Sequence, residues 1–346
     1  MEQTGKEELQ SAVGEIALDK AACRKDFSRV GLCFLLGAVL INGLQYAVLL
    51  LCGKFMPEIM KNGNAALILQ MAPTYLIGMP LLIFFLYKLP GVEPVKHQMK
   101  WWQFLAAMPM SYTIMIVSNV VGLIITGIIG LIKGAEVNNV MVDVVTSISL
   151  WVRILVMVIC APIFEELIFR KMLVSRTLKY GQGVAIVLSG LMFGLFHGNL
   201  NQFAYACCLG MFFAFLYAKT GNIKITIGLH MFINFIGGVF GGWLLELLDY
   251  EELAELTVNG AGQAEMMSFM MEHLFGFFLY GVFLLLIIVM LVTGIVLFIV
   301  FRKKFTLAQG QVQLPKGQRF SIVILNIGML LYCLFWMVSI VLQLIM

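Results

Sequence analysis

Apolar runs long enough to cross a bilayer recur from Val30 to the last residues of this chain, and no other feature constrains its fold as tightly. A spanning helix needs about 20 predominantly apolar residues. Nine segments meet or approach that length, at approximately 30–52, 65–87, 103–132, 148–168, 183–197, 203–218, 225–243, 274–301 and 321–345. The fifth and sixth are short, while the third and eighth are long enough to tilt. Composition agrees. Of 346 residues, 61% are hydrophobic and 12% charged, against about 25% charged in a soluble chain. So little charge cannot coat a soluble surface of this size, so the bilayer is the solvent for most of the protein. The expected fold is all-α, a polytopic transmembrane helix bundle of about eight to nine spans.

Charge placement orders these segments. Short loops rich in Lys and Arg stay on the cytoplasmic side. Such groups are Arg24, Lys25 and Arg29; Lys88, Lys96 and Lys100; Arg170, Lys171, Arg176 and Lys179; Lys219 and Lys224; and Arg302, Lys303, Lys304, Lys316 and Arg319. With the N-terminus inside, all five fall on the cytoplasmic side of the nine segments. The opposite connections are poor in cations, with Lys54, Lys61, Lys133 and Arg153 as exceptions. Residues 244–273 hold seven carboxylates and no Lys or Arg. The expected layout is a cytoplasmic N-terminal tail at 1–29, a membrane domain at 30–345 and an acidic extracytoplasmic loop at 244–273, with a short amphipathic helix around Leu244–Leu256.

Other classes are disfavoured. The net charge of +4 is small, and no basic patch with interleaved aromatics suggests nucleic acid. The seven cysteines lack a C-x-x-C pair and lie mostly in apolar runs, where a thiol behaves as a small hydrophobe. Residues 1–29 do not read as a signal peptide, and Gln-Leu-Ile-Met at the end is not a prenylation box. No internal repeat suggests the inverted halves of a transporter. Gly190, Gly194 and Gly198 repeat every four residues, as do Gly237 with Gly241 and Gly238 with Gly242. The plain reading of these glycines is close helix packing.

Ionisable residues within a membrane cost about 2.5–3.5 kcal/mol each on insertion scales and so demand a reason. Glu165 and Glu166 lie at the end of the fourth segment, in Ala161-Pro-Ile-Phe-Glu-Glu-Leu-Ile-Phe-Arg170. His197 ends the fifth, after Phe193-Gly-Leu-Phe. His230 and Asn234 lie four apart in the seventh. Of four histidines, the other two, His97 and His273, sit beside polar connections. Residues four apart share a helix face, so Glu166 can pair with Arg170, Phe193 lies one turn from His197, and Asn234 lies one turn from His230. Singly, each feature has a structural reading as a solvated cap, a packing hydrogen bond or interhelical glue. On three helices together they suit hydrolysis. A carboxylate screened from water acts as general base near neutral pH, one histidine helps hold the attacking water, and a histidine with an amide stabilises an oxyanion. Alternatively, Glu165, His197 and His230 match a catalytic zinc site with one open position, with Asn234 orienting a ligand or substrate.

Glu165-Glu166-x-x-x-Arg170, then Phe193-x-x-x-His197, then His230-x-x-x-Asn234, resembles the CAAX protease and bacteriocin-processing (CPBP, or Abi) family, which includes the type II CAAX prenyl endopeptidases. Gly198-Asn-Leu-Asn-Gln202 also looks like the family. The resemblance covers about residues 148–245, taken as the catalytic core. It implies an intramembrane endopeptidase with Glu165 as general base beside His197, Glu166 and Arg170 supporting, and His230 with Asn234 at the oxyanion. One divalent metal, zinc, is an open alternative to a metal-free glutamate mechanism, although the chain lacks the His-Glu-x-x-His of zincins. The implied substrate is a peptide or lipid-anchored protein within membrane lipid, and the composition points to a bacterial plasma membrane. A non-proteolytic regulator or bacteriocin-immunity scaffold of the same fold is the alternative, and a transporter the third reading.

Depth raises one question. A 15-residue fifth helix rises about 22 Å, which sets His197 far deeper than a cytoplasmic Glu165. Either the fourth helix continues past Glu165 with Arg170 buried, or the helices around 183–218 tilt.

Overall fold

The computed structural model describes residues 19–135, 137 and 145–345. Described helices run α1 Lys20–Phe55, α2 Gly63–Tyr87, α3 Trp101–Lys133, α4 150–177, α5 Gln182–Phe196, α6 Leu200–Thr220, α7 Ile223–Leu247, α8 Tyr250–Val258, α9 Gln263–Glu272, α10 Leu274–Phe301 and α11 Ile327–Ile345. Seven of them (α1, α2, α3, α6, α7, α10 and α11) are long and apolar enough to span a membrane. The protein is an integral, multi-pass membrane protein. The fourth and fifth expected spans are the exceptions. The fourth carries Arg153, Glu165, Glu166 and Arg170, and the fifth has only 15 residues.

Two boundaries differ from expectation. Residues 1–18 of the expected tail lie outside the described residues, and the rest belong to α1, which starts at Lys20 with Asp19 accepting from the Ala22 amide at 3.0 Å. Segment 244–273 is mostly helical, forming the end of α7 and both α8 and α9.

The depth question resolves through α4. It remains helical well past Glu165, and Arg170 is fully buried. Glu165 thus lies about 18 Å from the end of its helix at Thr177, level with a His197 that α5 carries inward.

Prolines shape α2 and α4. A proline ring clashes with the carbonyl four residues back. Widening the preceding turn to a π-helix relieves the clash. Thr74–Gly78 and Ile154–Cys160 are both π-helical, each followed two residues later by a proline, Pro80 and Pro162.

Lipid offers no hydrophobic force between helices, so close packing must hold them. A Cβ at Gly190 or Gly194 would collide with α6 at Cys207 and its neighbours, so α5 and α6 touch backbone to backbone. On α7, a Cβ at Gly242 would press on the Val145 and Arg153 side chains, but Gly237 and Gly238 behave otherwise. Gly237 has nothing within 4 Å of where its Cβ would stand, and Gly238 meets only the Met157 side chain. One aromatic core holds Phe34, Phe169, Phe193 and Tyr332, and a second holds Met110, Phe212, Phe213 and Leu229.

The basic connections gather at one end. The Val92 amide donates to Ser175 O (2.7 Å), that of His97 to Thr220 O (2.9 Å), that of Gln182 to Ala308 O (3.1 Å) and that of Val312 to Lys179 O (2.9 Å). Lys179 pairs with Asp26 of α1 at 2.6 Å. Apart from Arg170, which is buried inside the bundle, the five cationic groups named above therefore share an end. At the other end the buried Arg153 pairs with Glu246.

Candidate functional site

Arg170 sits where the two cores meet. Its guanidinium lies 4.4 Å from the Phe193 ring and 5.5 Å from the Phe213 ring, one from each cluster. Its Nε stands 3.1 Å from Glu166 Oε2, and both side chains are fully buried. A buried charge persists only with compensation. The carboxylate and two aromatic faces supply it here.

Glu166 passes this order on. Its other oxygen, Oε1, lies 3.0 Å from His230 Nδ1. A carboxylate accepts, so Nδ1 carries the proton, and the opposite nitrogen Nε2 faces Glu165 Oε2 at 3.7 Å. Arg170, Glu166, His230 and Glu165 thus form one line across α4 and α7. Glu165 keeps 14% of its side-chain surface exposed, where Glu166 has none. Adjacent carboxylates therefore occupy opposite environments, one sealed against an arginine and one open to a cavity.

His197 ends α5, and its Nδ1 lies 2.9 Å from Phe193 O. A carbonyl only accepts, so Nδ1 is the donor, and in the neutral ring Nε2 bears the lone pair. The Phe193 ring stands edge-on to His197 at 4.8 Å and to His230 at 5.8 Å. The turn after His197 explains Gly198-Asn-Leu-Asn-Gln202. Gly198 has φ +65, and a Cβ there would press on Trp336. Asn199 caps α6 by accepting from the Gln202 amide at 2.8 Å, while its Nδ2 donates to His197 O at 3.0 Å.

Asn234 is placed by a proline. In the π register the Ala161 amide bonds Val156 O. Met157 O would take the next amide, and Pro162 has none. Asn234 Nδ2 donates to Met157 O instead, at 2.8 Å. That bond fixes the amide's orientation and leaves its second N–H and its oxygen for the cavity.

All the expected site residues are thus brought together. Glu165, His197, His230, Asn234 and Phe193 border one cavity of about 370 Å³ between α4, α5, α6 and α7, and Glu166 and Arg170 lie sealed behind it. Its further walls are mostly apolar, including Met115, Met157, Leu209 and Ile233, with Gln202 and Tyr205 of α6 adding polar groups. Sequence reasoning missed Tyr75, which lines the cavity from α2 and packs on Phe164 at 5.4 Å, and Phe213, the second face over Arg170. A polar ring inside an apolar run was the available signal for Tyr75, whereas nothing distinguished Phe213 from other phenylalanines.

The zinc alternative needs three donors on one ion. Around a tetrahedral zinc with ligands at about 2.1 Å, donors stand about 3.4 Å apart. The donors of Glu165, His197 and His230 do not all lie within 4.8 Å of one another. Among the described residues only Asp249, Glu252 and His273 do. As they stand, the three site side chains do not fit a zinc shell.

Residues 147–236 match the family model described as type II CAAX prenyl endopeptidase Rce1-like. The chain is also 32% identical over 108 residues to the "Putative membrane peptidase YdiL" of Bacillus subtilis (strain 168). That match takes in 31% of this chain and 43% of the relative, so it spans less than half of that protein's length. No solved structure matches the chain significantly. Both matches support the resemblance to the CAAX protease family.

Proposed function

We propose, from the premise that residues 147–236 form a CAAX protease family core, that this protein is an intramembrane endopeptidase acting on a membrane-associated peptide or lipid-anchored protein. The observation that carries the reading is the contrast between the two neighbouring carboxylates. Glu166 is neutralised by Arg170 and committed to His230, while Glu165 is open to a cavity and, among the described residues, pairs with no arginine.

Glu165 is the general base. Neutral His197 presents Nε2 as an acceptor, which suits holding the attacking water beside Glu165 and not donating to an oxyanion. The water oxygen bonds the scissile carbonyl carbon as its proton passes to Glu165. The oxyanion then receives the free N–H of Asn234. It receives a second bond from His230 only when that ring is doubly protonated, because its Nδ1 proton is committed to Glu166. The tetrahedral intermediate collapses by breaking the C–N bond, and Glu165 returns the proton to the leaving amine. Glu166 and Arg170 touch no reacting atom and hold His230 in place.

The test is cleavage of membrane-anchored peptides by protein purified into liposomes, beside Glu165→Gln. Removing a general base lowers the rate by about 10²–10⁴-fold. The isosteric variant is expected to fall in that range at unchanged thermal stability. Equal cleavage by both proteins would exclude this site. Because the donors do not fit a zinc shell, a chelator is expected to leave activity intact. Loss on chelation with recovery on zinc addition would restore the metal mechanism.

A further inference from the structure

A second cavity, of about 560 Å³, adjoins the site from the α1, α2 and α11 side. The two cavities share three wall residues, Tyr75, Glu165 and His197. The centre therefore lies at a waist between two chambers, and the chambers differ in chemistry. Away from the catalytic side chains, the first is walled by apolar residues and glycines, with Gln202 and Tyr205 as its further polar groups. The second presents Asn42 and Gln45 from α1, Thr74 from α2, and Ser339 and Gln343 from α11.

Polar side chains in membrane helices commonly bridge neighbours. Gln45 does so, donating to Thr74 Oγ1 at 3.0 Å. The others do not follow suit. Asn42 donates only to Ala38 O of its own helix, at 2.9 Å. Among the described residues Ser339 and Gln343 make no hydrogen bond. These groups face a cavity that reaches the base, and unpaired polar groups favour water over hydrocarbon.

We infer that the second cavity is the aqueous chamber of the enzyme, supplying the attacking water to Glu165 and releasing the polar end of the cut peptide. The apolar chamber then holds the membrane-embedded part of the substrate. Hydrolysis requires both. A peptide bond in hydrocarbon is out of reach of water, and a base flooded from every side would hold no lipid-borne substrate. Tyr75 stands between the two chambers beside the base. This assignment rests on the peptidase reading, so its first test needs no activity.

Cysteines are placed at Ser339 and, as the lipid-side control on the same helix, at Val338, which is 48% exposed. Both are treated with a charged, membrane-impermeant methanethiosulfonate in liposomes and located by peptide mass, because native cysteines are present. Only a hydrated thiol ionises and reacts, so Ser339→Cys is expected to be modified about tenfold faster or more than Val338→Cys. Equal rates would overturn the chamber even if cleavage is shown. The second test fills each chamber. Ser339→Phe and Asn42→Leu are expected to lower kcat about tenfold at unchanged KM, and Gly237→Phe to raise KM. A raised KM in the first two, at normal thermal stability, would make the second cavity a substrate subsite and sink the proposal. Fast labelling without any cleavage would support the chamber and count against the peptidase reading alone.

Discussion

Individual side chains here carry two jobs that a single substitution confounds. Asn234 is the clearest case. It faces the reacting atoms, and it also replaces the amide that Pro162 lacks by donating to Met157 O. Asn234→Ala should therefore lose activity and also stability, by about 1–3 kcal/mol for an orphaned buried carbonyl. Pro162→Ala separates the two effects, because that substitution returns a backbone N–H to the position facing Met157 O. In that background the stability cost of Asn234→Ala is expected to shrink by about 1 kcal/mol, the net worth of one hydrogen bond, while the activity loss persists. Thermal melts and initial rates on the four proteins of the cycle measure both. Equal stability costs in both backgrounds would mean that the proline does not place the amide. Arg170 gives a complementary case. Arg170→Met leaves Glu166 charged and unpaired in a sealed site, which costs about 3–5 kcal/mol. Arg170→Lys restores charge but not the planar contact with Phe193 and Phe213. Melting temperatures in detergent should therefore rank wild type above Lys above Met.

At the scale of helices, identical spacing in sequence conceals two uses of glycine. Gly190 and Gly194 let α5 reach the α6 backbone, which is what brings His197 to the cavity. Gly237, with no neighbour at its Cβ position, lines the cavity instead. Gly190→Leu is therefore expected to lose about 1–3 kcal/mol or more through overpacking and to lose activity with it. Gly237→Ala should melt with the wild type. Similar loss in both would mean that α7 packs against a surface absent from this bundle. The spacing alone could not separate these cases, because a period of four marks a helix face and not what that face meets. The π-helical turns were equally hidden. Pro80 and Pro162 were visible, but whether a proline ends, kinks or widens a membrane helix depends on its neighbours.

The whole molecule was legible in proportion to how far each signal was local. Hydropathy marked each helix, since every span must satisfy its own backbone. Glu165, Glu166, His197, His230 and Asn234 stood out because ionisable and amide groups are rare in apolar runs. The second chamber was not legible. Asn42, Thr74 and Ser339 lie on helices far apart in sequence, and only packing brings them to one cavity. Sidedness lies between these extremes. Charge counting put five cationic groups on one side, and the fold joins the connections that bear them by direct hydrogen bonds at one end. The acidic helices α8 and α9 lie in a long connection free of Lys and Arg. We propose, because Lys- and Arg-rich connections are retained inside, that the N-terminal end of α1 lies in the cytoplasm. Single cysteines at Val92, Leu307 and Val258, probed in intact cells with an impermeant thiol reagent, test this. Val258→Cys should label, and the other two only after the membrane is opened. Label on Val258 and Leu307 together would break the span order between them, because α10 alone separates the two. Label on Val92 and Leu307 but not Val258 would keep the fold and reverse its orientation, moving the arrival face of any substrate to the outside.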